Sequence, residues 1–263
     1  MSTRAFAALT AICLALGGGS ATLAQDHGKE ARAEEFAKLP YWPGYWVSEG
    51  QAGTSIGGIA PVQLGGQRPA APMMSLAGFG APWNEAGRAR LAEERARSGG
   101  RKALGWGYPM MMDSAAPMQF LITPEETLII NPYADVRHIY TDGRPMPPAE
   151  DLWPTVWGTS IGHWEGDTLV IETIQVKNPN DYFHGGPPLS EEAVYHERIR
   201  LDGNRIVDDI TIEDPATLTG PWTNHLTFVR DPGFDRMVQI DFDNDRTGNE
   251  NGVNTIEPPA DER

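Results

Sequence analysis

Between residues 118 and 242 the chain alternates apolar and polar residues with a period of two, and turn signals interrupt the alternation at short, regular spacing. Two clear turns are Glu165-Gly166-Asp167 and Asp202-Gly203-Asn204, each set between β-branched runs. This pattern predicts antiparallel hairpins joined in sequence. Because a long open sheet edge invites aggregation, such a set of strands must close into a barrel or stack in two layers. We therefore predict a mainly β fold built on an antiparallel meander.

The first 24 residues have the layout of a secretory signal. Arg4 precedes an apolar run, and small residues follow up to Thr22-Leu23-Ala24, so we expect cleavage after Ala24 and a mature protein that is periplasmic or secreted. The apolar run is shorter than the roughly 20 residues of a membrane span, and no later stretch approaches that length. Cys13 lies in this segment. The mature chain is therefore expected to lack disulfides, thiolate nucleophiles and zinc–thiolate sites.

The composition divides the remaining chain into three parts. Residues 25–103 form a lead-in with an irregular Gly-, Pro- and Met-rich stretch and one surface helix at 83–98, for which Asn84 is the expected N-cap. Residues 104–242 contain the meander, and residues 243–263 are an acidic tail that we expect to be flexible.

Charge and motifs narrow the classes of function. A formal net charge of −15 makes nucleic acid an unexpected partner. The chain has no Walker loop, no G-x-G-x-x-G and no G-x-S-x-G, and we expect no cofactor. Residues 243–254 have the glycine of a calcium loop but lack its final bidentate glutamate, so we expect no metal site and favour a solvated tail. The sequence does not indicate an oligomeric state.

Residues 104–222 contain a series of short motifs: DGR (142–144), G-x-S-I-G-x-W-E-G-D-T-L-V (158–170), E-R (197–198), D-P (214–215) and P-W (221–222). This pattern resembles that of a family of exported Gram-negative bacterial proteins. The resemblance implies export and a β fold, and it implies no particular reaction. Relatives often carry Arg where this chain has His163, which makes His163 a poor candidate for a catalyst.

The tripeptide Gly44-Tyr45-Trp46 resembles the G-x-W that opens the first strand of lipocalin-type barrels. In those barrels the tryptophan packs against an arginine late in the chain, and Arg230 or Arg236 is positioned to do so here. The fold that we predict is therefore a lipocalin-like barrel, with a two-layer sandwich as the alternative.

The run from His163 to Asp167 places a histidine, a tryptophan and two carboxylates next to an apolar strand. Alternation separates them, because Ile161 and His163 share one face of the strand whereas Trp164 lies on the other. Glu165 and Asp167 fall in the turn. We interpret this cluster as a hairpin tip.

Three residues are candidates for acid–base catalysis. Glu197 shares the inward face with Tyr195, and a buried carboxylate must be paired or have a raised pKa. An ion pair with an arginine such as Arg137 or Arg144 is the favoured interpretation, and a catalytic role is the other. His138 and Asp142 could form an oriented base, although a half-exposed histidine above a turn is favoured.

Tryptophans and methionines on the loops either line a barrel mouth or cover the core. For a mouth, we expect the ligand-binding residues to be Tyr140, Trp164, Tyr195, Arg144, Trp106 and Met111. Three hypotheses for the function follow. The first is binding of a small hydrophobic or aromatic molecule in the barrel. The second is a cofactor-independent acid–base enzyme (isomerase, lyase or hydratase), and the third is a structural envelope protein.

The signal segment makes a testable prediction. When the full chain is expressed in a Gram-negative host, the intact mass of the periplasmic protein should correspond to residues 25–263. Leu14→Arg should prevent export, because it places a charge in the apolar run. Full-length protein that stays in the cytoplasm would contradict the prediction.

Overall fold

A computed structural model of the chain describes residues 29–49, 75–78, 80–96, 105–114, 116–178, 180, 186–237, 247–250 and 253–256. In these ranges the chain is mainly β, with two α-helices, α1 (Lys29–Phe36) and α2 (Glu85–Ala96). The strands are β1 (Trp46–Ser48), β2 (Gln119–Ile122), β3 (Glu126–Ile130), β4 (Val136–Tyr140), β5 (Thr159–Glu165), β6 (Thr168–Ile174), β7 (Val194–Asp202), β8 (Arg205–Glu213), β9 (Trp222–Arg230), β10 (Thr247–Glu250) and β11 (Val253–Ile256).

Nine strands form one sheet in the order β1-β9-β8-β7-β6-β5-β4-β3-β2. Its two outer strands meet, because the Trp46 N–H donates to the Met118 carbonyl at 2.8 Å and the Met118 N–H donates to the Trp46 carbonyl at 2.7 Å. The sheet is therefore a nearly closed barrel, which confirms the predicted mainly β, barrel-like fold. At the predicted turns, Gly166 and Gly203 have φ of +62° and +61°, and each opens a two-residue hairpin turn.

The predicted contact between Trp46 and a late arginine is present. The guanidinium carbon of Arg230 lies 5.1 Å from the centre of the Trp46 ring, and Gly44 lies against the Arg230 side chain. Arg236, the other candidate, pairs with Asp235 and is exposed. Trp46 therefore ties β1 to the end of β9 as well as to the start of β2.

One neighbouring pair departs from a simple meander. Strands β4 and β5 are parallel, with Ile139 opposite Ser160 and Tyr140 opposite Ile161. Parallel neighbours require a connection of a dozen or more residues. Residues 141–158, which include four prolines, provide the 18-residue connection that a hairpin turn could not.

The methionine-rich segment before β2 lies in the core. Met110, Met111 and Met112 form a short 3₁₀ helix (Met110–Asp113) and are fully buried, as is Tyr108. Of the two sequence interpretations, the structure shows the one in which these residues fill the core. A methionine side chain suits this position, because it is flexible enough to fill irregular space.

Helix α2 lies on the surface, as predicted, and begins after the expected cap. The Asn84 side-chain oxygen accepts a hydrogen bond from the Gly87 N–H at 2.9 Å, which is N-cap geometry. On this helix Ala86, Ala89 and Ala92 are exposed, whereas Leu91 is partly buried and packs against the core. Gly87 is the buried residue of the helix.

Outside the main sheet, α1 lies in the lead-in, and β10 and β11 pair as a separate two-stranded sheet within the predicted tail. Residues 238–242, the end of the predicted meander, lie outside the described residues. None of the described helices has the length and apolar character needed to cross a membrane.

Gly87→Ala should destabilise the protein, although Gly-to-Ala changes inside helices usually stabilise by about 0.5–1 kcal/mol. A Cβ at this position would lie 2.3 Å from the Thr217 carbonyl oxygen and 2.6 Å from the Trp83 ring. We expect a loss of about 1–3 kcal/mol in the free energy of unfolding, measured in urea. Ala89→Gly on the exposed side is the control and should cost at most about 1 kcal/mol. A stabilised Gly87→Ala variant would contradict the packing.

Candidate functional site

Each strand from β3 to β9 contributes one buried polar residue among apolar neighbours. We call this set the inner polar row; its members are Thr127, Arg137, Ser160, Thr173, Glu197, Asp208 and Asn224. The alternation of each strand explains the placement, because each member shares its face with buried residues such as Ile139, Ile199 and Ile210. The interior of the barrel therefore carries a band of hydrogen-bonding groups.

Arg137 is at the centre of this row. Its Nη1 donates to Glu197 Oε1 at 3.0 Å, its Nη2 donates to Glu197 Oε2, and both side chains are 0% exposed. The Arg137 Nη2 also donates to Thr173 at 2.9 Å and lies 3.4 Å from the Ser160 hydroxyl. This confirms the favoured sequence interpretation, an ion pair between Glu197 and Arg137.

Tyr108 comes from the methionine-rich segment and enters the same region. The Arg137 guanidinium carbon lies 4.1 Å from the centre of its ring, and the Tyr195 ring meets it edge-on at 5.0 Å. The Tyr108 backbone N–H donates to the Val156 carbonyl at 2.9 Å, which fixes the segment against the β4–β5 connection. The Tyr108 hydroxyl is buried and has no hydrogen-bond partner among the described residues.

Asp208 lies on the other side of Glu197. It is opposite Ile199 on β7, so Glu197 and Asp208 are diagonal neighbours on the inner face. Neither carboxyl oxygen of Asp208 has a hydrogen-bond partner in the described part of the chain. Burial and the nearby Glu197 raise the pKa of Asp208 well above its ordinary value, and Arg137 only partly opposes this. Burial therefore favours the protonated form of Asp208.

Asn224 completes the site on β9. It is opposite Ile210, which makes it a diagonal neighbour of Asp208 on the inner face. Its side-chain nitrogen is buried and lacks an acceptor among the described residues. The interior thus holds three polar groups without hydrogen-bond partners in the described chain: Asp208, its diagonal neighbour Asn224, and Tyr108.

The structure does not bring the three catalytic candidates together. Glu197 is inside the barrel, whereas His138 and Asp142 are on the outside. The His138 ring is half exposed and pairs with Glu126 at 2.8 Å, and Asp142 is held by Arg144, which lowers the pKa of Asp142. The three residues therefore do not meet in one place, because strand alternation turns His138 away from Glu197.

The six expected ligand-binding residues do not line one surface either. Tyr140 and Arg144 contact each other on the outside, with the guanidinium carbon 4.2 Å from the ring centre. Trp106 and Met111 are buried in the core, and the half-buried Trp164 packs edge-on against Trp42. Tyr195 contacts Tyr108 and so belongs to the candidate site.

The run around Gly166 is a hairpin tip, as its sequence indicates. His163 is exposed and lies 3.4 Å from Glu165, which in turn binds Arg198 at 2.8 Å. Trp164 points to the opposite face, into the core. The described residues contain no group of three His, Cys, Asp or Glu placed to hold a metal ion.

Sequence reasoning missed Asp208, Tyr108 and Asn224. A signal existed for Asp208, because the β8 alternation that turns Ile206, Ile210 and Ile212 inward also turns Asp208 inward. A similar signal existed for Asn224, because the β9 alternation that turns Leu226 and Phe228 inward also turns Asn224 inward. For Tyr108 no periodic signal exists, since it lies in an irregular segment.

The comparisons with known proteins add no relative. The chain matches none of the protein-family models, none of the curated proteins and none of the solved structures with which it was compared. The function is therefore inferred from the site itself.

Arg137→Met should destabilise the protein by roughly 3–5 kcal/mol, because it leaves Glu197 buried without its cation. Adding Glu197→Leu should restore much of that loss, since an apolar pair replaces the ion pair. Urea unfolding monitored by tryptophan fluorescence measures both. Arg144→Met is the control at an exposed pair and should have a much smaller effect. Equal losses for Arg137→Met and Arg144→Met would contradict the account.

The raised pKa of Asp208 makes a prediction about pH. The folded state holds the Asp208 proton after the unfolded state has lost it, so the free energy of unfolding should fall as pH rises above the ordinary carboxyl pKa, 3.8. Asp208→Asn removes this dependence. Burial also raises the pKa of Asp113, to about 6, so Asp113 changes the free energy of unfolding mainly below that pH.

The measurement is the difference in unfolding free energy between Asp208→Asn and the wild-type protein, from about pH 6.5 to about pH 8.5. We expect the variant to gain stability relative to the wild-type protein as pH rises, until Asp208 ionises in the folded wild-type protein. A difference that stays constant over this range would show that Asp208 is already ionised.

Proposed function

We propose that the protein binds a small hydrophobic or aromatic molecule in the barrel interior, beside the inner polar row. The observation that carries the proposal is the group of Asp208, Tyr108 and Asn224, which are buried without hydrogen-bond partners in the described chain. A buried polar group left without a partner costs about 1–3 kcal/mol. A bound molecule that supplies the missing hydrogen bonds recovers this free energy.

The surroundings favour a guest with an apolar body. Asp208 lies between Ile199 on β7 and Leu226 on β9, and the Tyr108 and Tyr195 rings meet on the same interior. Ligand sites in proteins are mostly apolar with a few placed polar groups, and this interior has that composition. A barrel-like fold is itself compatible with small-molecule binding.

The acid–base alternative with Glu197, His138 and Asp142 loses its support, because those groups face opposite sides of the barrel wall. The structural alternative has one observation in its favour. The fully buried Met110, Met111 and Met112 fill core space that an open mouth would leave free. The binding experiment below separates binding from a purely structural role.

We also propose that the mature protein acts outside the cytoplasm, in the periplasm or after secretion. The order of residues in the first 24 positions and the resemblance to exported bacterial proteins support this location. A barrel that binds hydrophobic compounds there would act on molecules that enter or leave the envelope.

The test is a fluorescence titration with N-phenyl-1-naphthylamine, a neutral aromatic probe. The wild-type protein should show saturable binding of one probe per chain. Leu226→Phe, which adds volume on the inner face of β9, should weaken binding by about tenfold. Thr223→Phe, which faces outward on the same strand, should not. Circular dichroism establishes that both variants fold.

Absent or unsaturable binding would contradict the proposal and favour the structural role. Equal weakening by both substitutions would also contradict it, because the probe would then occupy a site outside the barrel.

A further inference from the structure

We infer that the guest presents an oxygen acceptor, such as a carbonyl group, to the protonated carboxyl of Asp208, the hydroxyl of Tyr108 and the side-chain amide of Asn224. The inference depends on the proposed binding function and specifies the chemistry of the same site. It assigns Asp208 as a hydrogen-bond donor instead of a charged anchor.

The charges inside the barrel support the protonated form of Asp208. Arg137 is the one cation in the inner polar row, and it donates two hydrogen bonds to Glu197. Asp208 receives no hydrogen bond from it. An ionised carboxylate buried without a partner is so unfavourable that the group keeps its proton instead.

The other groups around Asp208 bring no compensating charge. Glu197 on β7 is negative, and Tyr108 from the methionine-rich segment is neutral because burial raises its pKa further. Asp209, the next residue, faces outward and pairs with Arg200 and His225. None of these groups supplies a positive charge to Asp208.

The groups without partners are mostly donors. The Asn224 side-chain nitrogen and the Arg137 Nε can only donate, the Tyr108 hydroxyl can donate, and a protonated Asp208 adds a fourth donor. Diagonal neighbours on a sheet face, such as Asp208 and Asn224, stand about 7–8 Å apart at Cα, a span that a small acceptor group fits. An excess of donors is complemented by a guest that brings an acceptor.

A matched set of naphthalenes tests the inference by competition with N-phenyl-1-naphthylamine. The ketone 2-acetylnaphthalene offers an acceptor, and 2-isopropenylnaphthalene has the same shape without one. The amine 1-(2-naphthyl)ethylamine brings a cation. We expect the ketone to bind wild-type protein at least about tenfold more tightly than the alkene, and the amine to bind most weakly.

Two substitutions at Asp208 separate a donor from an anchor. Asp208→Asn keeps an N–H donor and should retain the preference for the ketone, whereas Asp208→Leu should reduce it to about threefold or less. Tyr108→Phe removes one hydroxyl with little change of shape and should also reduce the preference. If Asp208→Leu does not fold, the Tyr108→Phe variant still tests whether the site prefers an acceptor.

The outcomes distinguish this inference from the proposed function. If the probe binds but the ketone and the alkene compete equally, the binding function stands and the inference is overturned. A preference for the amine that Asp208→Asn abolishes also overturns it, because Asp208 would then be an ionised anchor. If the probe itself does not bind, the proposed function fails and the inference fails with it.

Discussion

The buried ion pair between Arg137 and Glu197 is the interaction on which the interior of this barrel depends. Two charges removed from water are stable only when their geometry is good and their remaining hydrogen-bonding capacity is used. The two Nη groups of Arg137 meet this condition by reaching from β4 to Ser160 on β5, Thr173 on β6 and Glu197 on β7, whereas its Nε has no partner among the described residues. The network therefore spans the β4–β5 junction, where the parallel strands share two paired positions.

The same network determines the state of the rest of the site. Because Glu197 binds the Arg137 guanidinium, Asp208 has no hydrogen bond to a cation, and its burial favours the protonated form. The Tyr108 ring is held above the same guanidinium, and its hydroxyl has no partner in the described chain. A barrel interior with an ion-pair network beside a few donors without acceptors is suited to a largely hydrophobic guest with one polar group. The pairing of Arg137 with Glu197, which leaves Asp208 without a partner, is therefore the link between the fold and the proposed function.

Strand alternation predicted much of this arrangement from the sequence. It predicted that Tyr195 and Glu197 face inward, and the cost of burying Glu197 favoured an ion pair with Arg137 or Arg144. The Gly44-to-Trp46 pattern predicted a contact with Arg230 or Arg236, and the structure shows Arg230. The parallel β4–β5 pair could not be predicted, because it depends on how a proline-rich connection crosses between strands. The position of Tyr108 was also beyond local patterns, since an aperiodic segment carries it into the barrel. Asp208 was visible in the alternation, but its lack of a partner depends on which carboxylate Arg137 binds.

The protonation state of Asp208 is the most direct test of this account. Infrared difference spectroscopy of wild-type protein minus Asp208→Asn at neutral pH reports the C=O stretch of a protonated carboxyl group in a buried site. The account predicts a carboxylic-acid band that is present in the wild-type protein and absent from the variant. A difference spectrum that shows only the bands of an ionised carboxylate would contradict it.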